Sequence, residues 1–167
     1  MHRFLICSDI HRELENFKYA LREACAEGVE GVFIAGDTEL QSTLLYEMCE
    51  EIGAKLYLVR GNCDYSNAVG VEDLLTINLP GNHKCLLTHG HRQQVKSDTD
   101  LLMYVAQNHE CDLAIYGHTH MYDNSVSGGV RLLNPGSIGS SFWGSSSYML
   151  MTIDDNGRVD ILKRVIG

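Results

Sequence analysis

Apolar residues fall into short runs separated by polar clusters, and the runs follow two periods. Phe4 to Ser8 is continuous and β-prone, a first strand that ends in Ser8-Asp9-Ile10-His11. Leu14, Phe17, Leu21 and Ala24 then recur at helical spacing, so a helix is expected over Leu14 to Glu27, stopped by Gly28. Gly31 to Ala35 reads as strand two, followed by Gly36-Asp37-Thr38. Thr43 to Ile52 reads as a second helix closed by Gly53. Ala54 to Val59, where Leu56 and Leu58 alternate with Lys55 and Tyr57, is strand three and runs into Arg60-Gly61-Asn62-Cys63-Asp64. This β-α-β-α-β order with short connections implies parallel strands and right-handed crossovers.

The second half changes character. Asp73 to Leu79 and His83 to Thr88 read as strands around the turn Pro80-Gly81-Asn82, the latter running into Thr88-His89-Gly90-His91. Thr99 to Asn108 is a helix, and Leu113 to Tyr116 a short buried strand before Gly117-His118-Thr119-His120. Met121 to Val126 and Val130 to Leu133 form one expected hairpin, followed by Asn134-Pro135-Gly136-Ser137. Tyr148 to Ile153 and Arg158 to Val165 form another. Ser137 to Ser147, rich in Gly and Ser, reads as a loop near the site rather than a domain boundary. No repeat or linker divides the chain, so one domain over 1–167 is expected.

Composition narrows the classes. The 167 residues are 44% apolar and 21% charged, an ordinary globular mix with no apolar run of membrane-spanning length. The first residues lack the apolar core and cleavage site of a signal peptide, so a cytoplasmic protein is expected. The six cysteines contain no CxxC pair and read as free core thiols, Cys63 excepted. A net charge of −9 argues against an extended nucleic-acid or membrane surface. It leaves room for a small phosphate substrate, because bound cations reverse the local sign.

Polar clusters at successive strand ends carry the candidate chemistry. Ligands in open α/β sheets bind beyond the carboxyl ends of the strands, so Asp9, His11, Asp37 and Asn62 aim at one edge. His118 and His120 stand at i and i+2, and on an extended chain both imidazoles would face one place. With His89, the set is two carboxylates, four imidazoles and one amide oxygen. Seven mixed donors are too many for one structural zinc site and suit two metal ions with positions left for water and substrate.

The order Ser8-Asp9-Ile10-His11, Ala35-Gly36-Asp37, Arg60-Gly61-Asn62-Cys63-Asp64, Leu87-Thr88-His89-Gly90-His91, Tyr116-Gly117-His118-Thr119-His120, Asn134-Pro135-Gly136-Ser137 resembles the calcineurin-like metallophosphoesterase superfamily. The short chain and the GNCD and NPGS variants are similar to its YfcE-like phosphodiesterase branch. The resemblance implies an α/β fold of two facing mixed β-sheets flanked by helices, a four-layer α-β-β-α sandwich. It implies that Asp9, His11 and His120 hold one metal, that Asn62, His89 and His118 hold the other, and that Asp37 bridges both. Two dications against two carboxylates leave a positive pocket, suited to in-line attack on a phosphodiester by a metal-bound hydroxide without a phospho-enzyme intermediate. Manganese is the first choice of metal, with Fe, Ni, Co or Zn as alternatives.

Cys63 departs from the histidine that many members carry there, where it is thought to contact phosphate and assist the leaving group. A thiol donates hydrogen bonds weakly, so activated diesters are expected to be better substrates than alkyl monoesters. Asn62, Cys63 and His91 are the candidate catalytic residues, His91 reaching either substrate or a supporting carboxylate. Arg12 reads as solvated and Arg60 as either a phosphate clamp or a solvated residue. His2, His83 and His109 read as surface residues. Asn134 and Ser137 are expected to shape the loop beside the metals. Phe142 and Trp143 either stack on a base or, more in keeping with their bulk, pack in the core or at a subunit contact. Some relatives use the fold as a non-catalytic metal-binding scaffold for protein partners, the retromer subunit among them, and this is the alternative reading. A homodimer is the family's suggestion.

Overall fold

Alternation along the strands builds three apolar layers, and these explain the architecture. The computed structural model describes residues 1–139 and 144–167; Phe142 and Trp143 lie outside them. The first sheet contains β1 (His2–Cys7), β2 (Gly31–Ile34), β3 (Lys55–Leu58), β9 (Ser146–Ile153) and β10 (Val159–Ile166), in the order β10-β9-β1-β2-β3. The second contains β4 (Leu74–Leu79), β5 (His83–Thr88), β6 (Leu113–Ile115), β7 (Asp123–Ser127) and β8 (Val130–Asn134), in the order β4-β5-β6-β8-β7. β1, β2 and β3 run parallel, as do β5, β6 and β8, while the remaining pairs are antiparallel.

Successive residues of one strand serve opposite layers, as a period of two requires. On β1, Phe4 and Ile6 pack between the sheets with Phe33 and Met149 from the first sheet and Leu87, Ile115 and Leu133 from the second. Leu5 and Cys7 face the other way, onto Phe17, Ala20 and Leu21 of α1 (Leu14–Ala26) and Leu45 and Cys49 of α2 (Ser42–Glu51). Leu86, Ala114 and Leu132 pack outward onto Leu102 and Ala106 of α3 (Asp100–Asn108). The result is four layers: helices, sheet, sheet, helix.

Expected and observed elements differ mainly at their ends. β1 begins at His2 rather than Phe4 because His2 and Arg3 pair with Ile153 and Thr152 on β9; pairing, not apolarity, sets that boundary. β7 starts at Asp123 rather than Met121, because the Thr119 hydroxyl accepts from the Met121 amide and draws the chain into a turn. Cys25 is exposed on the outer side of α1, against expectation, since it falls outside the stripe of Phe17, Ala20, Leu21 and Ala24. All six cysteines are free. His83 is also not a free surface residue. Its two ring nitrogens meet the Asp112 carboxylate and the Gly157 carbonyl, each at 2.6 Å.

Candidate metal centre

Seven residues around the cluster take left-handed backbone conformations that side chains disfavour: Asp9, His11, Arg12, Asp37, Glu39, His118 and His120. Strain of this kind persists where surrounding contacts over-determine it, and it concentrates at functional sites. The contacts here are explicit. The Asp9 amide donates to the Gly36 carbonyl, and the His11 amide to the Asp37 carbonyl, tying the turn after β1 to the turn after β2. Ser137 Oγ donates to the Asp9 carbonyl at 2.9 Å. Asn134 Nδ2 donates to the Gly117 carbonyl and to Thr119 Oγ1, so these two residues do shape the loops beside the cluster.

The i, i+2 argument for His118 and His120 needs correction. Neither lies on a strand, since β6 ends at Ile115 and both have positive φ. Their rings part company. His118 Nδ1 is 3.2 Å from His89 Nε2, whereas His120 Nε2 is 3.2 Å from His11 Nε2. Two donor groups result, one of Asp9, His11 and His120 and another of Asp37, His89 and His118, each with ligand atoms within 4.8 Å of one another. The groups adjoin: Asp37 Oδ2 is 3.1 Å from His89 Nε2 and 3.9 Å from His11 Nε2, and Asp9 Oδ1 is 3.9 Å from His89 Nε2. A third group joins Cys63 Sγ to His11 and Asp37.

The donor set fits cations. Asp9 Oδ2 accepts from Ser8 Oγ and the His118 amide, but buried Oδ1 has no hydrogen-bond partner and aims at the His11 and His120 nitrogens, at 3.5 and 3.3 Å. An orphaned buried carboxylate oxygen is costly unless a cation completes it. The tautomers point the same way. His89 Nδ1 sits 2.6 Å from the Ala35 carbonyl, which can only accept, and His11 Nδ1 sits 2.9 Å from Glu39 Oε2. Both rings therefore spend their Nδ1 protons outward and leave Nε2 for the cluster, the usual arrangement behind a ligating imidazole.

The electrostatics express the same demand. Burial pushes the Asp9 carboxyl up, but the imidazoles of His11, His120 and His89 facing it outweigh that and hold it well below its ordinary value. The His11 imidazole is raised to about 9 by the Asp9 carboxylate beside it, with Glu39 adding to the effect against burial. His118 is pushed down to about 4 by burial, then by repulsion from His89 and Lys96. Burial and the Asp37 carboxylate push the Cys63 thiol up to about 11.

The remaining candidates divide. The Cys63 amide donates to Asp37 Oδ1 at 2.8 Å, which places this residue against the cluster. The Asn62 side chain is exposed, and its amide donates to Cys63 Sγ at 3.5 Å. The His91 ring centre is 5.4 Å from that of His89 and 6.1 Å from that of His118, with Nδ1 buried and unpartnered. Arg12 is exposed and pairs with Glu39 at 3.1 Å. Arg60 is a structural residue, its guanidinium bonded to the carbonyls of Asp64 and Tyr65. His2 bonds Glu30 at 2.5 Å, and His109 is exposed.

Two supporting residues had escaped notice in the sequence. Glu39 orients His11, and its signal was the i, i+2 spacing from Asp37, the same as that of Asp9 and His11. Asp64 is buried and accepts from the amides of Asp37, Gly61 and Glu39, clamping the turn after β3 to the turn after β2.

Residues 2–156 match the model of the calcineurin-like phosphoesterase superfamily domain. The chain belongs to this family. It is 31% identical to a probable metallophosphoesterase, YsnB of Bacillus subtilis, over 91% of this chain and 85% of that one. It is 26% identical to the phosphodiesterase YfcE of Escherichia coli, over 92% and 89% of the two chains. The fold is shared with vacuolar protein sorting 29 from Cryptosporidium parvum, at a TM-score of 0.75 and 21% identity over 99% of this chain and 98% of that one. As a calcineurin-like phosphoesterase, the protein has a hydrolase's fold and candidate ligand groups for divalent metal ions. None of the helices described is long and apolar enough to cross a membrane.

Proposed function

We propose that this phosphoesterase is a binuclear-metal phosphodiesterase. The observation that carries the reading is the pair of adjoining donor groups, with Asp9 Oδ1 buried and unpartnered among imidazole nitrogens. In it, Asp9, His11 and His120 hold one ion, Asn62, His89 and His118 the other, and Asp37 reaches both. Manganese is the favoured metal, though the mixed donors also accept Fe, Co, Ni or Zn. Two such ions, when bound, polarise a phosphoryl group and lower the pKa of water beside it.

The chain's own residues do the rest. Glu39 and the Ala35 carbonyl hold His11 and His89 in the ligating tautomer. The Cys63 amide fixes the orientation of Asp37. In this reading Asn62, Cys63 and His91 face the phosphate, and the Cys63 thiol is a weak hydrogen-bond donor to the leaving group. The name carried by YfcE supports a diester rather than a monoester substrate. The layer of apolar side chains shared by both sheets supports reading 1–167 as one domain, and we read it as cytoplasmic and homodimeric.

The test is hydrolysis of bis(p-nitrophenyl) phosphate by protein stripped of metal and then loaded with each of these ions in turn. Turnover with Mn(II), abolished in Asp37→Asn, is expected. No turnover with any of them sinks the reading and favours the second one, a scaffold for protein partners, for which the shared fold of vacuolar protein sorting 29 is the supporting observation.

A further inference from the structure

A cleft of about 660 Å³ opens directly beside His118 and His120. Its wall continues past His120 into Met121 and Tyr122, which are 52% and 36% exposed. On a small enzyme, large apolar side chains exposed next to the reacting groups call for a ligand that covers them. Val95 adds to that apolar wall, and Lys96 brings a cation to it. Asp123 is already engaged by the Tyr116 hydroxyl at 2.5 Å, so its charge is tempered. Lys163 Nζ lies 4.8 Å from the Tyr122 ring centre and, with His120, Met121 and Tyr122, lines a second hollow of about 330 Å³.

We propose that this cleft is the subsite for the non-departing arm of the diester, and that it takes a planar aromatic group against Met121 and Tyr122 while Lys96 steers the phosphate. Aromatic rings stack on tyrosine and on methionine sulfur, which favours aryl, benzyl or nucleoside arms over alkyl ones of similar size. Lys96 acts through charge and treats all phosphodiesters alike. The proposal rests on the phosphodiesterase reading, and its test separates the two.

p-Nitrophenyl benzyl phosphate and p-nitrophenyl ethyl phosphate share one leaving group, so any difference between them comes from the retained arm. With Mn(II)-loaded protein, KM for the benzyl ester should be about tenfold lower, in line with the worth of one stacked ring, while kcat stays similar. Tyr122→Ala should erase the difference and Tyr122→Phe should keep it. Lys96→Ala should raise KM for both esters by the same factor. Calorimetry gives a readout without turnover: benzylphosphonate should bind the loaded protein about tenfold more tightly than ethylphosphonate, and Tyr122→Ala should lose that margin. Turnover of both esters at equal KM, or a benzyl preference that survives Tyr122→Ala, overturns the subsite alone. Absence of turnover for both overturns the phosphodiesterase reading and the subsite with it.

Discussion

Glu39 works through His11. Its Oε2 takes the Nδ1 proton at 2.9 Å and so presents Nε2 to Asp9. Supporting partners of this kind typically tune metal affinity by about 10–100-fold, and Glu39→Gln should weaken Mn(II) binding by that factor in a chelator competition, with the fold unchanged by circular dichroism. Cys63 sets a different limit. A histidine there would supply a strong donor, so Cys63→His should raise phenyl phosphate turnover by about 10²-fold; an unchanged monoester rate would rule out the thiol as what limits monoester hydrolysis. The candidate ligands were legible because their residue types are scarce and sit at strand ends. Their division between two groups was not legible from spacing and came only with the family resemblance. His118 and His120 look like neighbours on a strand, and only their left-handed backbones send one ring to His89 and the other to His11. Glu39 was hidden for the same reason, since a glutamate after a turn is ordinarily solvated.

Between elements, the loops after β1, β2, β3 and β6 meet at distances that leave no room for side chains at two glycines. A Cβ on Gly117 would lie 2.0 Å from Ser8 Oγ, and one on Gly61 would lie 2.1 Å from Asp37 Oδ1. Gly61→Ala therefore must push Asp37 aside. About 2 kcal/mol of destabilisation is expected from such overpacking, together with loss of one metal equivalent by elemental analysis. The parallel run of the first three strands was readable from β-α-β punctuation, whereas the layers came only with the family resemblance, because Phe4 to Ser8 is apolar throughout and hides the split of Leu5 and Cys7 from Phe4 and Ile6. What could not be read was long-range bolting. His83 sits at the start of β5 and joins the Asp112 carboxylate before β6 to the Gly157 carbonyl in the turn between β9 and β10. Burial alone would pull its imidazolium down, but the Gly157 carbonyl and Asp112 raise it above 6.5. The stabilisation is complete below the unfolded value of 6.5 and fades as pH rises through the raised folded one. Wild type should exceed His83→Gln by about 1 kcal/mol at pH 5.5, with the gap shrinking in urea titrations at progressively higher pH.

At the scale of the whole molecule, a net charge of −9 surrounds a site built to gather cations. An ion that binds only the native form stabilises it by about 2.7 kcal/mol at a hundred times its Kd. Adding Mn(II) to chelator-treated protein should therefore raise Tm by about 5–10 °C for a chain of this size, and Asp9→Asn should remove much of that rise. Neither donor group belongs to one sheet. His120 comes from the second sheet to meet Asp9 and His11 of the first, and Asp37 crosses to meet His89 and His118. A nascent or half-assembled chain consequently owns neither of these two sets whole, and only the His11, Asp37 and Cys63 trio belongs to a single sheet. Ion capture must wait until both β-layers have closed on each other, which makes the loaded metal a lock on the finished sandwich and not a seed for its assembly.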